Sequence, residues 1–509
     1  MKRYATASAL AIVAMAGQAW ADVTPQQVWD DFEAYMSNFG YQITATETME
    51  GSSLVISDMT MVVTIPEEDG LVRVTMPPMT FAEAGEGSVS ITYPEVGEVM
   101  VYFVEDDDEV VGEIVLEMTH TDLEMLVSGN PGDLTYTYSG ERVALELTRV
   151  FDHEDQEEYG RDVISATMSM GPLSGTSHIM KDEAMRSIDQ DMTMGDLAID
   201  VSFDEPDGDD AFMFSMALAG LSSTGTTRLP LDLDVEDPTS MFKNGGMVDA
   251  VLKHNGGKTE FSLNEGDGPT SGMFSSSGGE FGVAVSETDL SYRLSAADQT
   301  VAMSGPELPL PINAALGEAG FSLAMPLSPS EEPRPASLSL TLGGFTMDDM
   351  LWNIFDPGEV LPRDPATVAF SLDAMVTPFI SLLDTDSMEK LGMTGGMPGE
   401  LNSLTLNSLV VDAVGAMVKG SGAFTFDNSD LQTFGGVPRP EGKLDVSIAG
   451  ANGLVDSLIS MGLLPEEDAM GFRMMMSMFT VPGEDPDTAT STIEINAEGH
   501  VLANGQRIQ

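Results

Sequence analysis

The 509-residue chain has no cysteine. That removes a disulfide framework, a thiolate metal site and a cysteine nucleophile, together with any cysteine-borne lipid anchor at a processed N-terminus. Bases are scarce: 21 Lys and Arg stand against 83 Asp and Glu, for a formal charge of −62. A surface this negative repels phosphates and anionic headgroups, which excludes nucleic acid as a partner. Aromatic residues make up 7% of the chain, too few for the paired girdles of an outer-membrane barrel. Beyond residue 21 no apolar run is long enough for a spanning helix, so the processed chain is not expected to span a membrane.

Residues Met1–Ala21 have the form of an export signal. Lys2 and Arg3 supply the positive start, an apolar stretch follows, and Ala19-Trp20-Ala21 is a small-x-small cleavage site. Cleavage is expected between Ala21 and Asp22, placing the chain in the periplasm without a lipid anchor. With 42% hydrophobic residues the remainder can build a core. Its length exceeds one compact core. Two β-rich units, 22–245 and 246–509, are expected, with a soft boundary near Gly245 or one elongated sheet running through both.

The processed chain opens with a helix: Thr24 as cap, Pro25 in the first turn, an apolar stripe from Val28 to Phe39, and Gly40 as the stop. The period then changes to two. Leu197, Ile199, Val201 and Phe203 alternate with polar residues, as do Leu231, Leu233 and Val235, Leu338, Leu340 and Leu342, and Leu444, Val446 and Ile448. One apolar and one polar pleat is the pattern of antiparallel sheet wet on one side. Turns are expected at Asn130–Asp133, at Ser139-Gly140-Glu141 between two paired strands, at Gly420-Ser421-Gly422, and at the Asn504-Gly505 hairpin. Further helices are predicted at Gly246–Asn255, Met347–Phe355, Pro378–Leu391, Gly453–Met461 and Pro465–Phe479. Asp58-Met59-Thr60-Met61 recurs as Asp191-Met192-Thr193-Met194 without a fixed period. The fold class read from these patterns is mainly β, a long antiparallel meandering sheet with several covering helices.

No residue set spells out a reaction. His120, His153, His178, His254 and His500 form no HxH, HxxH or HxxxH motif. No nucleophile elbow, phosphate loop or dinucleotide fingerprint is present. The acidic runs Glu105–Glu109 and Asp204–Asp210 are read as solvated hairpin loops, since neither fits a calcium loop. Met470, Met474 and Met478 share a helix face. A copper(I) thioether site is the sharp reading of that stripe, and soft core packing the one adopted. No catalytic, cofactor-binding or metal residue is therefore assigned, and no cofactor.

Leu351-Trp352-Asn353-Ile354-Phe355-Asp356-Pro357-Gly358, Leu361-Pro362-Arg363-Asp364-Pro365-Ala366-Thr367, Gly462–Pro465, Ala469–Met475 and Asn504–Arg507 are the distinctive words of the chain. With Val28-Trp29 and Gly40-Tyr41 they resemble an uncharacterised family of exported alphaproteobacterial proteins, catalogued as a domain of unknown function. The succession of amphipathic strands resembles AsmA-like envelope proteins more loosely. Trp352 and Asp356-Pro357-Gly358 are read as a helix end and sharp turn, with Arg363 and Asp364 as a local ion pair. The function expected is that of a non-catalytic periplasmic envelope protein, binding an apolar ligand or an envelope protein partner on the concave face of its sheet. The alternatives are a carboxylate-based hydrolase and a calcium-dependent structural or adhesion module.

The uncompensated acids repel one another in the folded chain, and salt screens that repulsion within about 10 Å at 0.1 M. The melting temperature is expected to rise as NaCl is added from low ionic strength. A flat or falling melt, followed by circular dichroism, contradicts this.

Overall fold

The computed structural model describes residues 23–64, 70–105, 109–206, 208–234, 237, 239–265, 268–394 and 397–509. The export signal and its Ala21/Asp22 junction lie outside the described residues. The fold is mainly β: among the described residues six helices accompany one antiparallel sheet.

Helix α1 (Pro25–Asn38) forms as its sequence predicts. The Thr24 hydroxyl accepts from the Gln27 N–H, and the Gln27 side chain accepts from the Thr24 N–H, closing a capping box. The sheet begins with β1 (Gln42–Glu50) against β2 (Ser53–Thr64). Thereafter several crossings of the sheet are made in two end-to-end pieces. β3 (Gly70–Thr75) and β4 (Met79–Gly85) both pair with β2. The chain returns as β5 (Ser88–Thr92) and β6 (Val96–Glu105), crosses as β7 (Val110–Thr121) and β8 (Glu124–Asn130), and returns as β9 (Asp133–Gly140) and β10 (Arg142–Asp152). The short β11 (Glu157–Tyr159) lies beside β10. Next come two long strands, β12 (Ile164–Lys181) and β13 (Met185–Asp204).

The two-piece pattern then resumes. β14 (Asp210–Leu218) and β15 (Leu221–Pro230) lie along β13. After the short α2 (Ser240–Lys243), β16 (Met247–His254) and β17 (Gly257–Glu265) make one crossing, and β18 (Pro269–Ser276) and β19 (Gly278–Val285) the next. Long strands follow: β20 (Asp289–Ser304), β21 (Ile312–Pro326), β22 (Arg334–Met347), β23 (Ala366–Pro378), β24 (Gly399–Ala413), β25 (Ala416–Asp427) and β26 (Arg439–Ala449). α3 (Asp349–Phe355) and α4 (Thr385–Thr394) lie in the connections, and α5 (Ala451–Ser460) and α6 (Glu466–Phe479) follow β26. β27 (Val481–Pro482), β28 (Thr488–Ile495), β29 (Val501–Ala503) and β30 (Gln506–Arg507) finish the ladder. Its pairing is continuous past Gly245, through β15 and β16.

The breaks line up. Asp58 in β2 faces the Met76-Pro77-Pro78 gap, the Tyr93-Pro94-Glu95 gap lies next to it, and Asp122-Leu123, Glu141, Gly171-Pro172 and Gly195 continue the line. It proceeds through Ala219-Gly220, Asn255-Gly256, Ser277, Asp298, Gly317 and Gly343-Gly344. The result is a crease across the ladder from β2 to β22. Asp58, Asp122 and Asp298 have φ of 51°, 49° and 45°, and Gly220 and Gly344 have 56° and 68°. This is the left-handed backbone that short polar residues and glycine tolerate. An extra residue at each break restores the pleat, so the apolar face stays on one side: Leu54, Ile56 and then Met59, or Ile188, Met192 and then Leu197. The recurring Asp-Met-Thr-Met word sits at or just before this crease in β2 and β13.

α1 packs on the apolar face. Trp29 and Val28 are fully buried among Leu54, Ile56, Phe81, Val89 and Val127. Gln26 Nε2 reaches Glu47 in β1 at 2.8 Å, Asp31 pairs with buried Arg186 in β13, and Asn38 Nδ2 donates to the Pro230 carbonyl in β15 at 2.9 Å. β1 and β15 are eight strand spacings apart, about 38 Å on a flat sheet. A fourteen-residue helix spans about 21 Å. The sheet therefore curls around α1, apolar face inward.

Several expectations from sequence change. Gly246–Asn255 is strand β16, because its apolar residues alternate into the sheet. Ser139-Gly140-Glu141 makes no hairpin: β9 and β10 are collinear pieces of one crossing, each pairing elsewhere. Gly420-Ser421-Gly422 runs inside β25, where its glycines leave room for Leu409 and Leu444. Leu231–Asp234 leaves the sheet after Pro230. The fourth helix begins at Thr385 rather than Pro378, which ends β23. The Asn130–Asp133 and Asn504-Gly505 turns form as read, the latter with φ of 47° and 79°.

At the crease, a Cβ on Gly195 comes 2.3 Å from the Gly171 carbonyl oxygen. Gly195→Ala is expected to destabilise by about 1–3 kcal/mol. Gly471→Ala, in α6 with open space around it, is expected to stabilise by about 0.5–1 kcal/mol. Urea melts of both variants check the contrast.

Candidate functional site

Among the described residues, the apolar face between α1 and the α4 segment is partly open, with Leu252, Phe281, Leu294 and Phe321 exposed. Its central feature is a transverse row in which every neighbour is a cross-strand partner: Leu252, Phe281, Leu294, Phe321, Leu340, Phe370 and Leu409. Leucine and phenylalanine alternate over about 29 Å. A second row, Tyr292, Leu323, Leu338, Leu372 and Leu406, lies beside it. Phe281 and Leu294 keep 45% and 53% of their surface exposed. On the opposite pleat the adjacent row reads Lys253, Glu280, Ser295, Gly320, Thr341 and Ala369, so the two faces differ sharply in polarity.

The segment carrying α4 covers one margin of the apolar face. Beneath it lies a cavity of about 310 Å³, lined by Met325, Pro326, Ala336, Val376, Pro378, Leu382, Pro398 and Leu401, with Glu400 as its one ionisable group. Its composition suits hydrocarbon.

The larger open cleft, about 560 Å³, is on the polar pleat. Asp249, Ala284, Ser291, Ala324, Ser337, Asp373 and Thr405 form one cross-strand row along it. Arg334 holds Asp289 at 2.7 Å, and Asn407 donates to Asp373 at 2.7 Å. No histidine lines this cleft to activate a serine. A second polar cleft, about 460 Å³, contains His178, Asp189, Asp191 and Asp249. There His178 Nε2 lies 2.7 Å from Asp133, and Asp189 accepts from the Thr226 hydroxyl at 2.6 Å. The other histidines are dispersed: His120 is near the Tyr93 carbonyl, and His153 lies beside Phe151 and Glu113. Among the described residues no three His, Asp or Glu side chains converge as a metal site. Asp106–Asp108 and Asp207, within the two acidic runs, lie outside the described residues. The flanks close as hairpins, with Glu105 N–H on the Glu109 carbonyl and Glu205 N–H on the Asp210 carbonyl.

The Trp352–Arg363 word is a structural knot. Arg363 Nη1 bonds Asp349 at 2.5 Å, while Nη2 bonds Asn353 at 2.7 Å and the Asp356 carbonyl at 3.2 Å. Its guanidinium also lies 5.8 Å from the Trp352 ring. Arg363 thus pairs with Asp349, not with its neighbour Asp364, because the chain doubles back onto α3. Asp356 is fully buried and accepts from the Val360 and Leu361 N–H groups, each at 2.9 Å. Burial pushes its carboxyl upward, but those two bonds and Arg363 outweigh it and hold it below the usual carboxylate range.

In α6 the stripe Met470, Met474 and Met478 is exposed, not the core packing expected from the sequence. The helix turns Ala469, Phe472, Met476 and Phe479 inward, and Met470, Met474 and Met478 face solvent. The two stripes differ by about one residue's rotation, roughly 100°, which apolar spacing alone does not resolve in a helix this rich in methionine.

No protein-family model, curated protein or solved structure matches the chain.

A group held below its ordinary value stabilises the fold above the unfolded-state value and loses that contribution as pH falls through the folded-state value. Asp356→Asn is therefore expected to lower the melting temperature at pH 7. The gap from the parent chain should narrow on acidification below about pH 4. A gap that stays constant with pH in parallel melts assigns the loss to geometry instead of charge.

Proposed function

We propose that this chain is a non-catalytic envelope protein, exported to the periplasm, that holds the hydrocarbon part of an apolar ligand on the inward-curling face of its sheet. The observation that carries the reading is the Leu–Phe row from Leu252 to Leu409, contiguous, partly exposed and backed by a polar pleat. A soluble monomer rarely leaves so long an apolar surface without a use. Burial of that surface is the driving force. The cavity beneath the α4 segment adds an apolar hollow at its margin, and the same face curls around the chain's own α1. The acids on the outer pleat and loops keep the chain soluble. A carboxylate hydrolase has less support, because it needs a pair of carboxylates and two of the three in the larger polar cleft, Asp289 and Asp373 but not Asp249, are engaged by Arg334 and Asn407.

The test is titration of the purified chain with a fluorescent fatty-acid analogue. Phe281→Asp combined with Leu294→Asp is expected to abolish binding. The two residues are half-exposed cross-strand partners, so the facing carboxylates cost up to about 1 kcal/mol besides the lost packing, and a circular dichroism spectrum that keeps its strand signal shows the fold intact. Binding that survives the double change with the fold intact removes the row from the reading. N-terminal sequencing of the periplasmic protein should start at Asp22.

A further inference from the structure

We propose that the outward face of α6 binds a soft monovalent cation, copper(I), through the thioethers of Met474, Met475 and Met478. The three residues stand at i, i+1 and i+4 on one helix. Residues three and four apart on a helix have Cβ atoms about 5–6 Å apart, and each methionine side chain has three rotatable bonds with which to turn its sulfur toward a shared centre. All three are open to solvent, with 65%, 52% and 60% of their surface exposed. Packing therefore does not account for them: α6 is seated by Ala469, Phe472, Met476 and Phe479. Met470, one turn before Met474, is exposed as well and can serve as a fourth donor.

Every exposed apolar residue of this helix is methionine, with no leucine, isoleucine or valine among them. What methionine has and those residues lack is a polarisable sulfur donor. Thioether ligands with no carboxylate or imidazole in the set select copper(I) over zinc, calcium and magnesium. The nearby cation does not oppose binding, because Arg473 is held by Asp456 at 2.5 Å. The strongly negative chain raises the local concentration of cations of every kind, and the thioether set supplies the selectivity. This site is separate from the Leu–Phe row and does not depend on it.

The experiment is anaerobic competition between the full-length processed chain and a chromogenic copper(I) chelator, with zinc and calcium as controls. The parent chain is expected to withdraw copper(I) from the chelator, and neither control ion should compete. Replacing Met474, Met475 and Met478 together by leucine removes every proposed donor but Met470 and should abolish the withdrawal of copper(I) from the chelator, with an unchanged circular dichroism spectrum, melt and fatty-acid-analogue titration. Failure of the parent chain to compete overturns the proposal. So does a triple-leucine variant that retains the parent's copper(I) affinity, since the metal would then lie elsewhere. Loss of analogue binding in the triple variant, with copper(I) affinity unchanged, would identify the face as an apolar docking surface and overturn it equally.

Discussion

In an antiparallel ladder an extra residue in one strand is a problem for both neighbours. Unless they accommodate it, every side chain beyond that point changes face. Here the accommodation passes from strand to strand from β2 to β22 as one crease, built from Asp58, Asp122, Gly220, Asp298 and Gly344 with left-handed backbone and from proline or glycine gaps between them. Everything else follows from that shared registration. The apolar pleat remains on one side across the whole crossing, the strands can be long, and the sheet can bend without losing its pairing.

The one-sided pattern sets the energetics. Among the described residues, the one cluster of buried hydrophobic side chains lies where α1 covers the face, around Trp29, Leu54, Ile56, Phe81 and Val127. There the helix is tied at both ends and at its centre, and the buried Arg186 is paired with Asp31 and lies 4.8 Å from the Tyr35 ring. Farther along, stability rests on strand pairing and on half-buried rows, a cheaper arrangement that leaves apolar surface available. Acids such as Asp200, Asp249 and Asp373 sit exposed on the outer pleat, and Glu105 and Glu109 at a hairpin end, where they keep their hydration. Several are also pulled down in pKa by local hydrogen bonds. Asp427 accepts from Ser429 and Arg439, and Asp430 from Thr433. Asp487 is pushed up by burial but pulled down further by the Asn452 and Gly453 N–H groups at the start of α5. These carboxylates organise turns and helix ends.

Local signals were legible in the chain by itself. The capping pair Thr24 and Gln27, the period-two runs of β13, β22 and β26, the Asn504-Gly505 turn and the Pro465 start of α6 depend on neighbours within a few residues, so spacing and residue type determine them. The one-sided sheet was legible for the same reason, since alternation is a property of the strand alone. The helical state of α6 is legible in its sequence and its rotation is not, because five methionines in nine residues present apolar surface on almost every side.

What tertiary structure alone decided is which strands are neighbours and which apolar residues stay uncovered. β9 and β10 look like the arms of a hairpin, yet they lie end to end, because the crease diverts the chain between them instead of reversing it. Gly246–Asn255 has helical spacing as well as alternation, and the edges of β15 and β19 settled it as strand. The Leu–Phe row is assembled from seven strands whose residues lie up to 157 positions apart. No window of sequence contains it. The sequence determined that this chain would be an acidic, cysteine-free, one-sided sheet, because composition and period are local quantities. Registration across strands determined where its open surface lies, because a row is made by hydrogen bonding between distant segments and by the one shared break that keeps them in phase.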